Sequence, residues 1–255
     1  MANSDKILFV SGEVNPFTPK SEIGNIVRTL PEMVQDQAGH QVRILMPRYG
    51  TISERKNRLH EVIRLSGSEI TVGEATDTLK VKVASIPGIR LQVYFMDSAD
   101  FFKRKGIFAT KSGKAYADNP ERALFFARAV LQTLSNLGWS PDVVHAFGWM
   151  SALMPVLLKN EAQSNELFAN AKVVYTPEAE PIADQFSADL VASLGLPASV
   201  ADQPLQDVAA SFADAILLPP SLEGTGDATS LSAEPEAMLA QATACYEHVL
   251  NAMPV

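Results

Sequence analysis

The spacing of apolar residues along this chain changes repeatedly, and each change marks a new element. Residues 7–10 form a short unbroken apolar run, the mark of a buried strand. From about 21 to 38, Ile23, Ile26, Val27, Leu30, Met33 and Val34 recur every three or four positions. That spacing places them on one face of a helix, with Gly39 reading as its C-cap. Residues 41–46 read as the next strand, so the start of the chain predicts a right-handed β-α-β unit with parallel strands. Period-two alternation then appears in 59–65, 69–72, 79–86 and 91–96, separated by Gly67, Gly73 and Pro87-Gly88. These stretches read as hairpin strands, an antiparallel or edge excursion from the main sheet.

Helical spacing returns after Asp118. Asn119 reads as N-cap and Pro120 as the first helical residue of a helix reaching about 137, which buries Leu124, Phe125, Ala127, Val130, Leu131 and Leu134. A short buried strand at 142–146, a helix at 149–160 and a strand at 172–176 follow. Helical stretches at 182–194 and 204–212 lead to a last strand at 215–218. These elements predict an α/β fold with a doubly wound, mostly parallel, Rossmann-like sheet over residues 1–220. Residues 221–234, with Gly224-Thr225-Gly226 and no strand–helix context, read as a flexible linker. Residues 235–255 read as a C-terminal helix carrying Met238, Leu239, Ala242, Tyr246 and Leu250.

Composition narrows the function classes. The 255 residues are 47% hydrophobic, enough for a full core, and the net charge of −8 argues against nucleic-acid and anionic-membrane partners. No apolar run is long enough to cross a bilayer, and the first residues carry no signal-peptide pattern, so a cytoplasmic protein is expected. The single cysteine, Cys245, forms no internal disulfide and reads as a helix-packing residue. No His/Cys cluster has metal-ligand spacing, and neither a Walker loop nor a Gly-x-Ser-x-Gly elbow is present, so no metal or cofactor is expected.

Several segments together resemble the N-terminal half of bacterial glycogen and starch synthases, glycosyltransferase family 5 members with the GT-B fold. They are Glu13-Val14, Pro16-Phe17, Leu30-Pro31, Met46-Pro47-Arg48-Tyr49-Gly50, Val93-Tyr94-Phe95, Tyr116, Asp118-Asn119, Arg122 with Phe125-Phe126 and Arg128, Gly138-Trp139, Pro141-Asp142-Val143-Val144-His145, and Trp149 with Leu153 and Pro155. The likeness runs from about residue 6 to 176 with order and spacing kept. It implies half of a GT-B fold and a cleft that handles ADP-glucose, as donor, and an α-glucan or sugar ligand. The second domain of the synthases has no counterpart in these residues.

The resemblance also names site residues. The family's Lys-x-Gly-Gly loop aligns with Pro19-Lys20-Ser21-Glu22, so Lys20 and Ser21 are substrate-binding candidates, while Glu22 brings a carboxylate towards a diphosphate. At about 4 Å and an effective dielectric near 20, like charges repel by roughly 4 kcal/mol. Equally, Glu22 suits a helix's first turn, where a carboxylate complements the dipole. Asp118 matches an acceptor-side aspartate and is a catalytic and binding candidate, though a carboxylate is also favoured before a helix start. His145, at a strand's C-terminal end, is a catalytic candidate or a core histidine bonded to backbone. Trp149 is a substrate-binding candidate or a packing residue. Gly148 and Met150 replace the family's aspartate and histidine, and Pro177-Glu178 replaces a His-Asn pair. Arg48, Tyr49 and Arg122 match and read as braces of the fold.

Three functions fit: a glucan- or sugar-binding or accessory relative without full transfer activity, an active glucosyltransferase completed by a partner chain or homodimer, and an interaction or regulatory subunit. A partner would meet the face that joins the two GT-B domains.

Overall fold

The computed structural model describes residues 4–179, 185, 187–194, 198–222 and 228–252. The first β-α-β unit consists of β1 (Lys6–Ser11), α1 (Glu22–Asp36) and β2 (Gln41–Pro47). The Ser21 hydroxyl caps α1 by accepting from Gly24 N–H at 3.0 Å. Eight residues of α1 face inward, among them Ile23, Ile26, Leu30 and Val34, each contributing about 1.5–3 kcal/mol on burial. The helix closes at Gln37, two residues before Gly39, which adopts φ +77° in the turn to β2.

The middle of the chain adds α2 (Glu54–Asn57), β3 (His60–Glu61), a 3-10 turn (Ile63–Leu65), β4 (Glu69–Val72), β5 (Ala75–Thr78), β6 (Lys80–Ser85), β7 (Gln92–Asp97) and α3 (Ala99–Phe102). The strand expected at 59–65 is therefore only two residues long before it curls into the turn. β5 has no apolar alternation and was not predicted, yet it pairs with β4 in a separate two-stranded ribbon. β7 lies parallel to β2, and β6 and β3 extend the sheet antiparallel beyond it, so the hairpin is an edge of the main sheet.

The remainder comprises α4 (Asn119–Leu137), β8 (Val143–Phe147), a 3-10 turn (Trp149–Ser151), α5 (Met154–Glu161), β9 (Lys172–Thr176), α6 (Ala188–Ser193), a 3-10 turn (Ala198–Val200), α7 (Leu205–Phe212), β10 (Ala215–Leu218), β11 (Thr229–Ser230) and α8 (Pro235–Asn251). Asp118, not Asn119, is the N-cap of α4. The helix expected at 149–160 divides because Pro155, lacking an N–H, fits only a first helical turn, so α5 starts at Met154. Of the helix expected at 182–194, residues 182–184 and 186 lie outside the described residues, Gln185 pairs with Pro204 in an isolated antiparallel bridge, and the helix is confined to α6. Thr229–Ser230, within the stretch read as linker, pairs in parallel with β10 and follows the strand read as the last. Gly224-Thr225-Gly226 lies outside the described residues.

The main sheet has the order β11-β10-β9-β8-β1-β2-β7-β6-β3, with β1 central. Its inner six strands, from β10 to β7, are all parallel. Strands buried on both faces read as continuous apolar runs, which is why 7–10 and 143–147 carry no polar alternation. Helices form two layers, α1 beside α8, and α5 between α4 and α7. In the α8 layer Met238, Ala242, Tyr246 and Val249 are buried. Cys245, half-buried on the same helix, has its thiol pushed up to about 11 by burial. No helix among the described residues is long and apolar enough to cross a membrane.

Candidate functional site

The carboxyl ends of β1, β8 and β9 meet at the middle of the sheet, where parallel α/β folds place their ligands. After β1 the chain turns through residues 12–21 and binds largely to itself. The Ser11 hydroxyl donates to Glu13 O at 2.7 Å, Val14 N–H donates to Thr18 Oγ1 at 3.1 Å, and Asn15 N–H donates to Gly24 O at 3.0 Å. Ser21, besides capping α1, donates to the Glu13 carboxylate. Burial nevertheless dominates at Glu13 and raises its pKa. Lys20 is exposed at the rim.

Glu22, the first residue of α1, points away to the far end of the chain. Its carboxylate accepts Ser221 N–H at 2.9 Å and the Ser221 hydroxyl at 2.5 Å. The helix start therefore carries a negative charge already bonded to the segment that follows β10.

Below the turn, Met150 is fully buried against Gly12. A Cβ on Gly12 would lie 2.7 Å from the Met150 Cβ, so only glycine permits this packing. Gly148 is constrained similarly: its φ is +68°, and an added Cβ would collide with Oε1 of Glu178. That carboxyl accepts the Trp149 N–H. Burial, and then the nearby Glu13, push Glu178 up to about 7, against the lowering effect of the Trp149 bond. Glu178 is thus a half-buried carboxyl that holds its proton through mildly acidic pH.

A second group of residues lies around Tyr116. Arg104 grips Asp118 with both guanidinium nitrogens, Nη1 to Oδ1 at 2.5 Å, and its guanidinium carbon is 4.8 Å from the Tyr116 ring centroid. Burial would raise the Asp118 pKa, but the bonds from Arg104 outweigh it and hold the carboxyl below its usual value. Arg122 is fully buried, with Nε on Phe101 O at 2.9 Å and Nη1 on Asn119 Oδ1 at 2.6 Å. Its guanidinium lies 5.2 Å from the Tyr116 ring and 5.7 Å from Trp149. Arg122 Nη2 and the buried Tyr49 hydroxyl have no hydrogen-bond partner. Arg48 bonds Glu54 at 2.5 Å, and Lys82 joins Glu54 at 2.7 Å to Asp97 at 2.8 Å.

His145 lies away from this opening, in the core. It has no exposed surface; Nδ1 is 2.7 Å from the Tyr246 hydroxyl and Nε2 is 2.9 Å from Thr176 Oγ1. Burial pushes it down to about 3, so it is neutral at ordinary pH. The partners are side chains, where the sequence suggested backbone. Trp149 is 3% exposed and meets Phe108 edge-on at 5.3 Å between centroids. Of the candidate residues, the fold brings Ser21 to Glu13 and leaves Lys20 at the rim. Asp118 is placed with Arg104, Trp149 near Arg122, and His145 beneath α8.

Sequence reasoning missed Glu178 as the neighbour of Gly148, Arg104 as the partner of Asp118, and the Glu22–Ser221 and His145–Tyr246 bonds. Their separations, up to 199 residues, leave no local pattern. Only a glycine where a larger residue was expected, Gly148, hinted that another side chain fills the space. Among the described residues no group of acidic, His and Cys side chains can hold a metal ion. The one large apolar side chain that is well exposed among them is Ile63, at the β3 edge and not at the strand ends.

Residues 6–216 match the family model of the starch synthase catalytic domain. A glycogen synthase of Chlorobium phaeobacteroides is 44% identical over 172 residues, covering 67% of this chain and 35% of the relative. A glycogen synthase of Chlorobium limicola is 41% identical over the same length and shares. The chain thus spans about a third of the length of these curated relatives. In structure it is similar to the catalytic domain of starch synthase IV from Arabidopsis thaliana, bound to ADP and acarbose. The TM-score is 0.69 at 20% identity, over 84% of this chain and 45% of that one, which speaks to the fold.

Proposed function

Given that the chain belongs to the starch synthase catalytic domain family of glycosyltransferases, we propose that it acts as a glucan- or sugar-binding accessory protein of α-glucan metabolism. It does not carry out full glucosyl transfer from ADP-glucose by itself. The observation that carries this reading is the first turn after β1. There the start of α1 holds the Glu22 carboxylate, bonded to Ser221, with Glu13 and Glu178 behind it. A helix N-terminus favours anions through its free N–H groups, but a carboxylate in that first turn opposes a diphosphate by roughly 4 kcal/mol at about 4 Å. Met150 adds no compensating donor, since a thioether is only a weak acceptor.

The group around Asp118 and Tyr116 remains suited to a neutral sugar. Asp118 offers an ionised carboxylate held in place by Arg104, with Tyr116 beside it. The experiment is incorporation of labelled glucose from ADP-glucose into glycogen by the purified chain. The expected result is none above background, and sustained incorporation would overturn the reading.

A second reading, an ADP-glucose:α-1,4-glucan glucosyltransferase completed by a partner chain or second copy, draws on one observation. The chain spans 35% of the relatives' length, so most of a synthase's residues lie outside this match. Adding a chain that carries only the second GT-B half to the same assay distinguishes the two, because activity in the mixture alone supports the second.

A further inference from the structure

Charge is divided unusually along this sequence. The first 172 residues carry all 21 Lys and Arg against 17 of the 29 acidic residues, a net +4. The following 83 carry the other twelve acids and no Lys or Arg. Sheet order turns this division into a spatial one. The segment after Lys172 builds β9, β10, β11 and α6–α8, one edge of the nine-stranded sheet, whereas β3 and β6 form the other.

Around the first edge, Asp202, Asp207, Glu234, Glu236 and Glu247 are exposed, and none of them is in an ion pair. Asp214 is the exception there, bonded by Lys159 of α5 at 2.6 Å. At the opposite edge a groove of about 760 Å³ runs between the α2–β3 segment and the β6–β7 hairpin tip. Its rim carries Lys56, Arg58, His60 and Arg90, all exposed, and no acidic residue lines it. Nearby Glu54 is already held by Arg48 and Lys82.

We infer that copies of this chain associate head to tail, the acidic β11–α8 edge of one copy against the basic β3–β6 groove of the next. Both edge strands are only two residues long, so side-chain charge and not strand pairing makes the contact. Two different patches meet, so the contact is heterologous and does not close at a dimer unless the rotation happens to form a ring. The charges are exposed, so the association is weak and strongly screened. The Debye length falls from about 30 Å at 0.01 M salt to about 3 Å at 1 M. This contact is separate from the strand-end opening and does not depend on what binds there.

Sedimentation velocity on the whole chain tests the inference. At about 10 mM salt the weight-average mass rises above the monomer and keeps rising with concentration, and at about 1 M it returns to the monomer. The double variant Arg58→Glu/Arg90→Glu makes both edges acidic, and Glu236→Lys/Glu247→Lys removes most of the net negative charge of the acidic edge. Each variant, shown to be folded by circular dichroism, stays monomeric alone, and an equimolar mixture associates again. A wild-type chain that stays monomeric at low salt overturns the proposal, as does association that persists at high salt. A variant that associates as the wild type does has the same effect. Inorganic triphosphate binding in the groove of a strictly monomeric chain points instead to a small-anion site and also overturns it.

Discussion

Replacing Glu178 by glutamine removes a titrating group while keeping its shape and its ability to accept the Trp149 N–H. In the native protein this carboxyl is held up to about 7, first by burial and then by Glu13, against an ordinary value of 4.5. A raised folded-state pKa stabilises fully at pH values below the ordinary one, and that stabilisation is lost as pH rises through the folded one. Between pH 4.5 and about 7 the unfolded chain releases this proton and the native chain keeps it, so stability falls by at most about 3 kcal/mol. Partial exposure and solvent screening make that figure an upper bound. His145 has the opposite sign: held down to about 3, its contribution is lost as pH falls from 6.5 towards that value.

The two trends overlap, so the informative quantity is the difference between Glu178→Gln and wild type, in which the His145 contribution cancels. Urea unfolding at a series of pH values supplies it. The variant should match the wild type within a few tenths of a kcal/mol near pH 4, and exceed it by about 1–3 kcal/mol near pH 8. A flat difference across that range, or a variant less stable at pH 8, refutes the picture of a half-buried, proton-holding carboxyl in the Gly148 notch.

Gly148→Ala should destabilise the chain by about 1–3 kcal/mol, since it meets both a positive φ and the Glu178 carboxyl. Adding Glu178→Ala should recover part of that loss in the same urea titration, and no recovery would mean that backbone strain alone is responsible. Tyr246→Phe leaves His145 Nδ1 without its partner in the core and should cost about 1–3 kcal/mol. Thermal and urea unfolding check this, and a neutral result would remove α8 as a polar anchor of β8. Asp118→Asn breaks a part-exposed pair with Arg104 and should change stability by less than about 1 kcal/mol. The same substitution should weaken maltooligosaccharide binding several-fold, measured by calorimetry.

Much of the fold was legible because buried parallel strands and one-faced helices leave strong apolar patterns. The strand 7–10, the face Ile23–Ile26–Leu30–Val34 and the C-terminal helix could all be read directly. β5 and β11 could not, because Ala75–Thr78 and Thr229–Ser230 are short, polar and held by their neighbours' hydrogen bonds. The helix expected at 149–160 divides at Leu153 because Pro155 restarts it one residue earlier, a break that the apolar spacing alone hides. At the site, Glu22 in a helix's first turn was readable from adjacent residues, whereas Ser21, expected at a substrate, caps that helix instead. Pairs that depend on strand order were not readable. His145 and Tyr246 are 101 residues apart, and only the packing of α8 over β9 and β10, next to β8, brings them together.

The central claim is that this domain keeps a sugar-accepting opening while its first turn rejects a diphosphate. Isothermal calorimetry with maltoheptaose and with ADP-glucose, on the same preparation of the whole chain, tests it most directly. The account predicts saturable heat with maltoheptaose and none with ADP-glucose at concentrations where the glucan saturates. Saturable ADP-glucose binding, or silence towards the glucan, would contradict it.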